Sequence, residues 1–128
     1  MLKQIFFLCS ALLWTGIIGF LCLTESSNIP TVTIPNIDKL VHFCFHFGFT
    51  LLWFLFFKKQ FNSIDNYKPL LVSFVFSIFF GLTIEILQSK YTLTRSADMM
   101  DFLANSIGAT FAIIAVLLFS KLISKIVN

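Results

Sequence analysis

Residues 5–23 read IFFLCSALLWTGIIGFLCL, nineteen side chains without one formal charge. A helix rises 1.5 Å per residue, so such a run covers about 29 Å, close to the ~30 Å of hydrocarbon in a bilayer. Lys3 before an apolar run is also how a secretory signal peptide begins. The run is too long for the usual apolar core of about 7–15 residues, and no small-x-small cleavage site follows it. Cys22 does not make a lipoprotein site, because bulky Leu21 precedes it. The segment is expected to remain as a first membrane-spanning helix.

Three more runs share this character. Residues 40–57 and 102–120 contain no Asp, Glu, Lys or Arg, and residues 69–88 contain only Glu85. In lipid every backbone polar group must be satisfied within the segment, so each run is expected to be helical. The connectors at 24–37, 58–68 and 89–100 are polar, and the first carries Asn28, Pro30, Pro35 and Asn36. The predicted fold is all-α: an integral membrane four-helix bundle in a single domain, 1–128, with helices over about 5–23, 39–57, 69–88 and 101–121.

The whole chain agrees with these segments. Its 128 residues are 58% hydrophobic and 12% charged, with 18 phenylalanines, whereas a soluble domain carries roughly 25% charge. That composition excludes a water-soluble fold. The net charge of +3 does not indicate a nucleic-acid binder, because the basic residues flank apolar runs and form no patch with interleaved aromatics. Cys9, Cys22 and Cys44 lie inside apolar runs, with no CxxC and no disulfide framework. Gly16 and Gly19 are expected to allow close helix packing, and Trp14, Trp53 and the phenylalanines to pack or face lipid.

Orientation follows from the basic residues. Lys3, Lys58, Lys59, Lys68, Lys121 and Lys125 fall on one side, and Lys39, Lys90 and Arg95 on the other. Asp65 is the single acid on the first side, against Glu25, Asp38, Glu85, Asp98 and Asp101. The more basic side is expected to be cytoplasmic, with both termini inside and the first and third connectors outside.

The polar residues inside the spans gather near that outer side. Asp38, His42 and His46 recur every four residues and share one helix face. Gly81, Glu85 and Gln88 form a stripe on the third helix, with Ser77 a turn below, and Asp98, Asp101, Asn105 and Gly108 recur at three or four. Ionisable groups in lipid are costly and turn inward to pair. For Glu85 the available cations are Arg95, Lys39 and a protonated His42. Ala104, Gly108 and Ala112 make two small-xxx-small steps that let the fourth helix approach its neighbours.

The same residues carry a family resemblance. Asp38-Lys39-x-x-His42-Phe43, Glu85-x-x-Gln88 and Arg95-Ser96-Ala97-Asp98-x-x-Asp101-x-x-x-Asn105-x-x-Gly108 resemble the three motifs of the VanZ-like family, in order and spacing, over roughly residues 5–120. The resemblance implies a small multi-pass protein of a bacterial cytoplasmic (inner) membrane, concerned with the cell envelope. The family's founding member is linked to teicoplanin resistance. It implies no defined reaction and no cofactor. His46 departs from the family pattern, which is apolar or aromatic there.

Several readings of the cluster stand side by side. Arg95 and Lys39 suit an anionic lipid or glycolipid headgroup, since arginine matches phosphate and carboxylate in bidentate geometry. Asp38, His42, Glu85, Gln88, Asp98, Asp101 and Asn105 would then orient it. Alternatively, Glu85 or Asp101 acts as a general base with His42 in a membrane-embedded hydrolase or transferase on a lipid-linked envelope intermediate. A third reading makes the cluster a structural network without a ligand. His42 and His46 at i, i+4 have the spacing of helical metal ligands, but HFCFH lacks the glutamate of a zincin, and no metal is expected.

Overall fold

The computed structural model describes residues 1–24, 33–93 and 95–128. Most of the first expected connector, including Glu25 and Pro30, lies outside the described residues. Among them the chain is entirely helical: α1 Leu2–Leu23, α2 Ile37–Gln60, α3 Tyr67–Tyr91, α4 Met99–Leu118 and α5 Ser120–Val127. The first four are long and apolar enough to cross a membrane. No more than 33% of any span's apolar window is buried in the protein, which leaves room on each span for contact with lipid.

Each helix begins before the uncharged segment that announces it, and α2 and α3 also end beyond theirs, because the flanking polar residues continue the backbone ladder into the interface. Lys58 and Lys59 lie in the last turn of α2. Lys58 Nζ then donates to the carbonyls of Ile64 at 2.9 Å and Asp65 at 2.7 Å, tying down the connection to α3. Asn62 takes a left-handed φ of 47° in that connection, a conformation asparagine tolerates better than most residues.

The fourth expected helix, 101–121, is not continuous. It is interrupted at Phe119 (φ −103°, ψ 25°), and α5 follows from Ser120. The break has an energetic reason: it turns Ile123 and Val127 into a cluster with Phe54, Leu70 and Val116, while Lys121 and Lys125 stay exposed.

Helix α2 is the hub, packed against α1, α3 and most extensively α4. Phe49 stacks on Phe80 at 4.7 Å, and Trp53 meets Phe76 edge-on at 4.8 Å. Both indole N–H groups find acceptors, Trp14 at the Phe45 carbonyl (2.9 Å) and Trp53 at Thr15 Oγ1 (3.1 Å), as buried indoles require. Five hydroxyls on the spans are satisfied locally: Ser10, Thr15, Thr83, Ser106 and Thr110 each donate to the carbonyl four residues back.

Gly108 sets the α2–α4 distance. A Cβ there would lie 2.2 Å from the Phe43 carbonyl oxygen, so only glycine permits this approach. Gly16 and Gly19, expected to serve close packing, do not: an added Cβ meets nothing within 4 Å at either. They lie on the outward side of α1, whose buried line is Phe7, Ala11, Ile18 and Cys22.

Lys3 donates to the Ile126 carbonyl at 3.4 Å, and the amides of Gln4 and Gln60 meet. These contacts gather the N-terminus, the α2–α3 connection and α5 at one end of the bundle. The polar residues of α2, α3 and α4 meet at the other.

Candidate functional site

The α2–α4 contact builds the centre of the polar cluster. Asp98 is the N-cap of α4: Oδ1 accepts the Met100 N–H at 2.8 Å, satisfying one orphan donor of the first turn. Its other oxygen lies 3.4 Å from Lys39 Nζ. Lys39 is also 3.4 Å from Asp38 and 3.4 Å from Asp101 Oδ1, so one ammonium is shared by three carboxylates. One turn deeper, His42 is buried between α4 groups. Its Nδ1 lies 3.0 Å from Asn105 Oδ1, and its Nε2 lies 3.6 Å from Asp101 Oδ2. Nδ1 thus faces an amide oxygen and Nε2 a carboxylate oxygen, so each ring nitrogen has an acceptor opposite it.

Glu85 reaches the same place from α3. Of the three cations expected to be available to it, neither Lys39 nor Arg95 pairs with it among the described residues, while a His42 ring nitrogen lies within 4.8 Å. Its Oε2 accepts the Asp98 backbone N–H at 3.1 Å, and Oε1 has no hydrogen-bond partner among the described residues although Glu85 is only 4% exposed. One side-chain ligand atom from each of His42, Glu85 and Asp101 lies within 4.8 Å of the other two.

Gln88 and Arg95 meet at a group that no side-chain inventory of the sequence contains. Gln88 Nε2 donates to the Cys22 carbonyl at 2.8 Å, and Arg95 Nη1 approaches it at 3.4 Å. The carbonyls in the last turn of α1 lack intrahelical partners, and these two side chains serve one of them. Thr92 Oγ1 adds a bond to the Gln88 carbonyl at 2.6 Å. No carboxylate pairs with Arg95 among the described residues.

His46 stands apart. Its Nδ1 lies 2.8 Å from Ser77 Oγ, and its ring packs against Phe49 and Phe80 at 1% exposure. The i, i+4 histidine pair therefore forms no joint ligand site. Gly81 makes room for the crossing: a Cβ there would lie 3.0 Å from His46 Cε1 and 3.1 Å from Asn105 Nδ2.

Beside the cluster lies a cavity of about 370 Å³. Asp38, His42, Gln88, Arg95, Ser96 and Asp101 contribute polar groups to its lining, and Leu21, Cys22, Ile37, Val41 and Phe45 contribute apolar ones. Lys39, Glu85, Asp98 and Asn105 support that lining without being part of it. The contributions of Leu21, Cys22 and Ser96 have no chemical signature in the sequence, since position alone brings them there.

Residues 5–120 match the family model VanZ/LLP1. The chain belongs to the VanZ/LLP1 family. Searches of curated proteins and of solved structures returned no match. The segments that carry the VanZ-like resemblance, at 38–43, 85–88 and 95–108, come from three different helices and meet at one end of the bundle.

Proposed function

We propose that this VanZ-like protein binds the headgroup of an anionic lipid or glycolipid of the cell envelope in the cavity beside Arg95. One observation carries the reading: the cavity's lining combines Arg95, Gln88 and His42 with Leu21, Val41 and Phe45. Such a lining suits a molecule with a charged head and an apolar chain. A guanidinium without a carboxylate partner among the described residues offers its donors to phosphate or carboxylate. Lys39 is held by three aspartates and serves the wall rather than the ligand.

The basic end, with Lys3, Lys58, Lys59, Lys68, Lys121 and Lys125, faces the cytoplasm of a bacterial inner membrane by the positive-inside rule. The cavity then opens at the outer leaflet, where lipid-linked envelope components are exposed, and a change in glycopeptide susceptibility would follow from sequestering one. The test is native mass spectrometry of the detergent-purified protein with added phosphatidylglycerol or phosphatidylcholine. The anionic lipid is retained preferentially, and Arg95→Gln lowers its affinity about tenfold, the scale of one charge-assisted hydrogen bond. Equal retention of both lipids, or an unchanged Arg95→Gln, ends this reading.

The approach of His42 to Asp101 on the same wall favours a second reading, in which the pair activates water against a lipid-linked pyrophosphate. Under it Asp101→Asn abolishes headgroup release while lipid retention persists. No release by the parent protein excludes it.

A further inference from the structure

We propose that His42, Glu85 and Asp101 bind a divalent transition-metal ion of the zinc or manganese class. Three helices each deliver one ligand, and the three ligand atoms lie within 4.8 Å of one another. Bonds of about 2.0–2.2 Å to a tetrahedral ion hold ligand atoms roughly 3.3 Å apart. The 3.6 Å between His42 Nε2 and Asp101 Oδ2 is already near that separation, and is too long for a hydrogen bond between them.

Independent features of the surroundings point to the same occupant. Glu85 is 96% buried by its 4% exposure, and one of its carboxylate oxygens has no partner among the described residues. A cation at that oxygen would compensate a carboxylate held at that depth. His42 meets the Asn105 carbonyl oxygen through Nδ1, the kind of second-shell contact that orients a metal-binding imidazole. Asp101 divides its oxygens, Oδ1 to Lys39 and Oδ2 to the His42 side, so one is free to ligate while the other anchors the side chain.

Charge agrees. Asp38, Asp98, Asp101 and Glu85 bring four carboxyl groups, and Lys39 is the one lysine or arginine ion-paired with any of them among the described residues. One imidazole and two carboxylates suit zinc or manganese better than calcium, which takes six to eight oxygens. His42 and Asp101 also line the cavity, so the open positions of an ion held by three protein ligands face it.

The experiment is calorimetric titration of chelator-stripped protein in detergent with zinc chloride. One ion binds per chain, Glu85→Gln and Asp101→Asn each weaken binding at least about tenfold, and Asp65→Asn at the opposite end leaves it unchanged. Second-shell Asn105→Leu weakens it by about 10–100-fold. Because a buried variant can fail to fold, the parent protein is also titrated with cobalt(II) alone. The strong d–d absorption of a low-coordinate protein site supports the proposal, and only the weak bands of the hydrated ion overturn it. No saturable zinc binding by the parent, or equal affinity in folded Glu85→Gln and Asp101→Asn, overturns it as well.

Discussion

Asp101 lies 3.4 Å from an ammonium through one oxygen and 3.6 Å from an imidazole through the other, so it joins the outer aspartate–lysine group to the buried His42–Asn105 pair. The two layers respond differently to substitution. Lys39→Gln removes the cation that Asp38, Asp98 and Asp101 share, and leaves three carboxylates facing one another. We expect a fall of a few degrees in the thermal midpoint in detergent. The deficit should shrink as salt rises, because Asp38 and Asp98 are 59% and 43% exposed and their repulsion is screened. Asn105→Leu acts deeper: it leaves His42 Nδ1 buried without its hydrogen-bond partner, a loss of about 1–3 kcal/mol that added salt does not recover. The i, i+4 spacing of Asp38 and His42, and the three-and-four spacing of Asp98, Asp101 and Asn105, made these faces readable in advance. The partner of Glu85 was not readable, because it is the backbone N–H of Asp98, and any residue but proline supplies that group at that position.

Among the elements, the close pair is α2 and α4, and its tolerance is set by one position. A Cβ on Gly108 would fall 2.2 Å from the Phe43 carbonyl oxygen. That atom belongs to the helix backbone and cannot rotate away, so Gly108→Ala must separate the helices. We expect a loss of about 2 kcal/mol or more, within the range known for overpacked cores, read as earlier unfolding on titration with a denaturing detergent. His42 and Asp101 would move apart with the helices. Gly16→Ala and Gly19→Ala are the controls. With nothing within 4 Å of either Cβ, both should be neutral or stabilising by up to about 1 kcal/mol through helix propensity. In sequence all three glycines sit in apolar helical runs. What distinguishes Gly108 is that Phe43, 65 positions away in the chain, crosses over it.

For the whole molecule, one end carries the termini and the α2–α3 connection, and the other carries the polar cluster and the cavity. The positive-inside reading is tested with single introduced cysteines in a background lacking Cys9, Cys22 and Cys44. Ala97→Cys should react with a membrane-impermeant maleimide in intact cells, and Ile64→Cys only after permeabilisation; the reverse pattern would place the cavity at the cytoplasmic face. Four spans, their approximate limits and the polar end were legible from the chain because each depends on local quantities. Hydrocarbon thickness sets a run length, the cost of charge in lipid keeps that run clean, and helical periodicity assigns a face to every residue in it. The break at Phe119 was not legible, since the preceding apolar run reads straight through it and only the cluster of Phe54, Leu70 and Val116 gives Ile123 and Val127 a reason to turn. Nor were the partners of Glu85, Arg95 and His46. Which helix face meets which neighbour depends on how closely two backbones approach, and that is a property of pairs of distant residues, settled only when the helices pack.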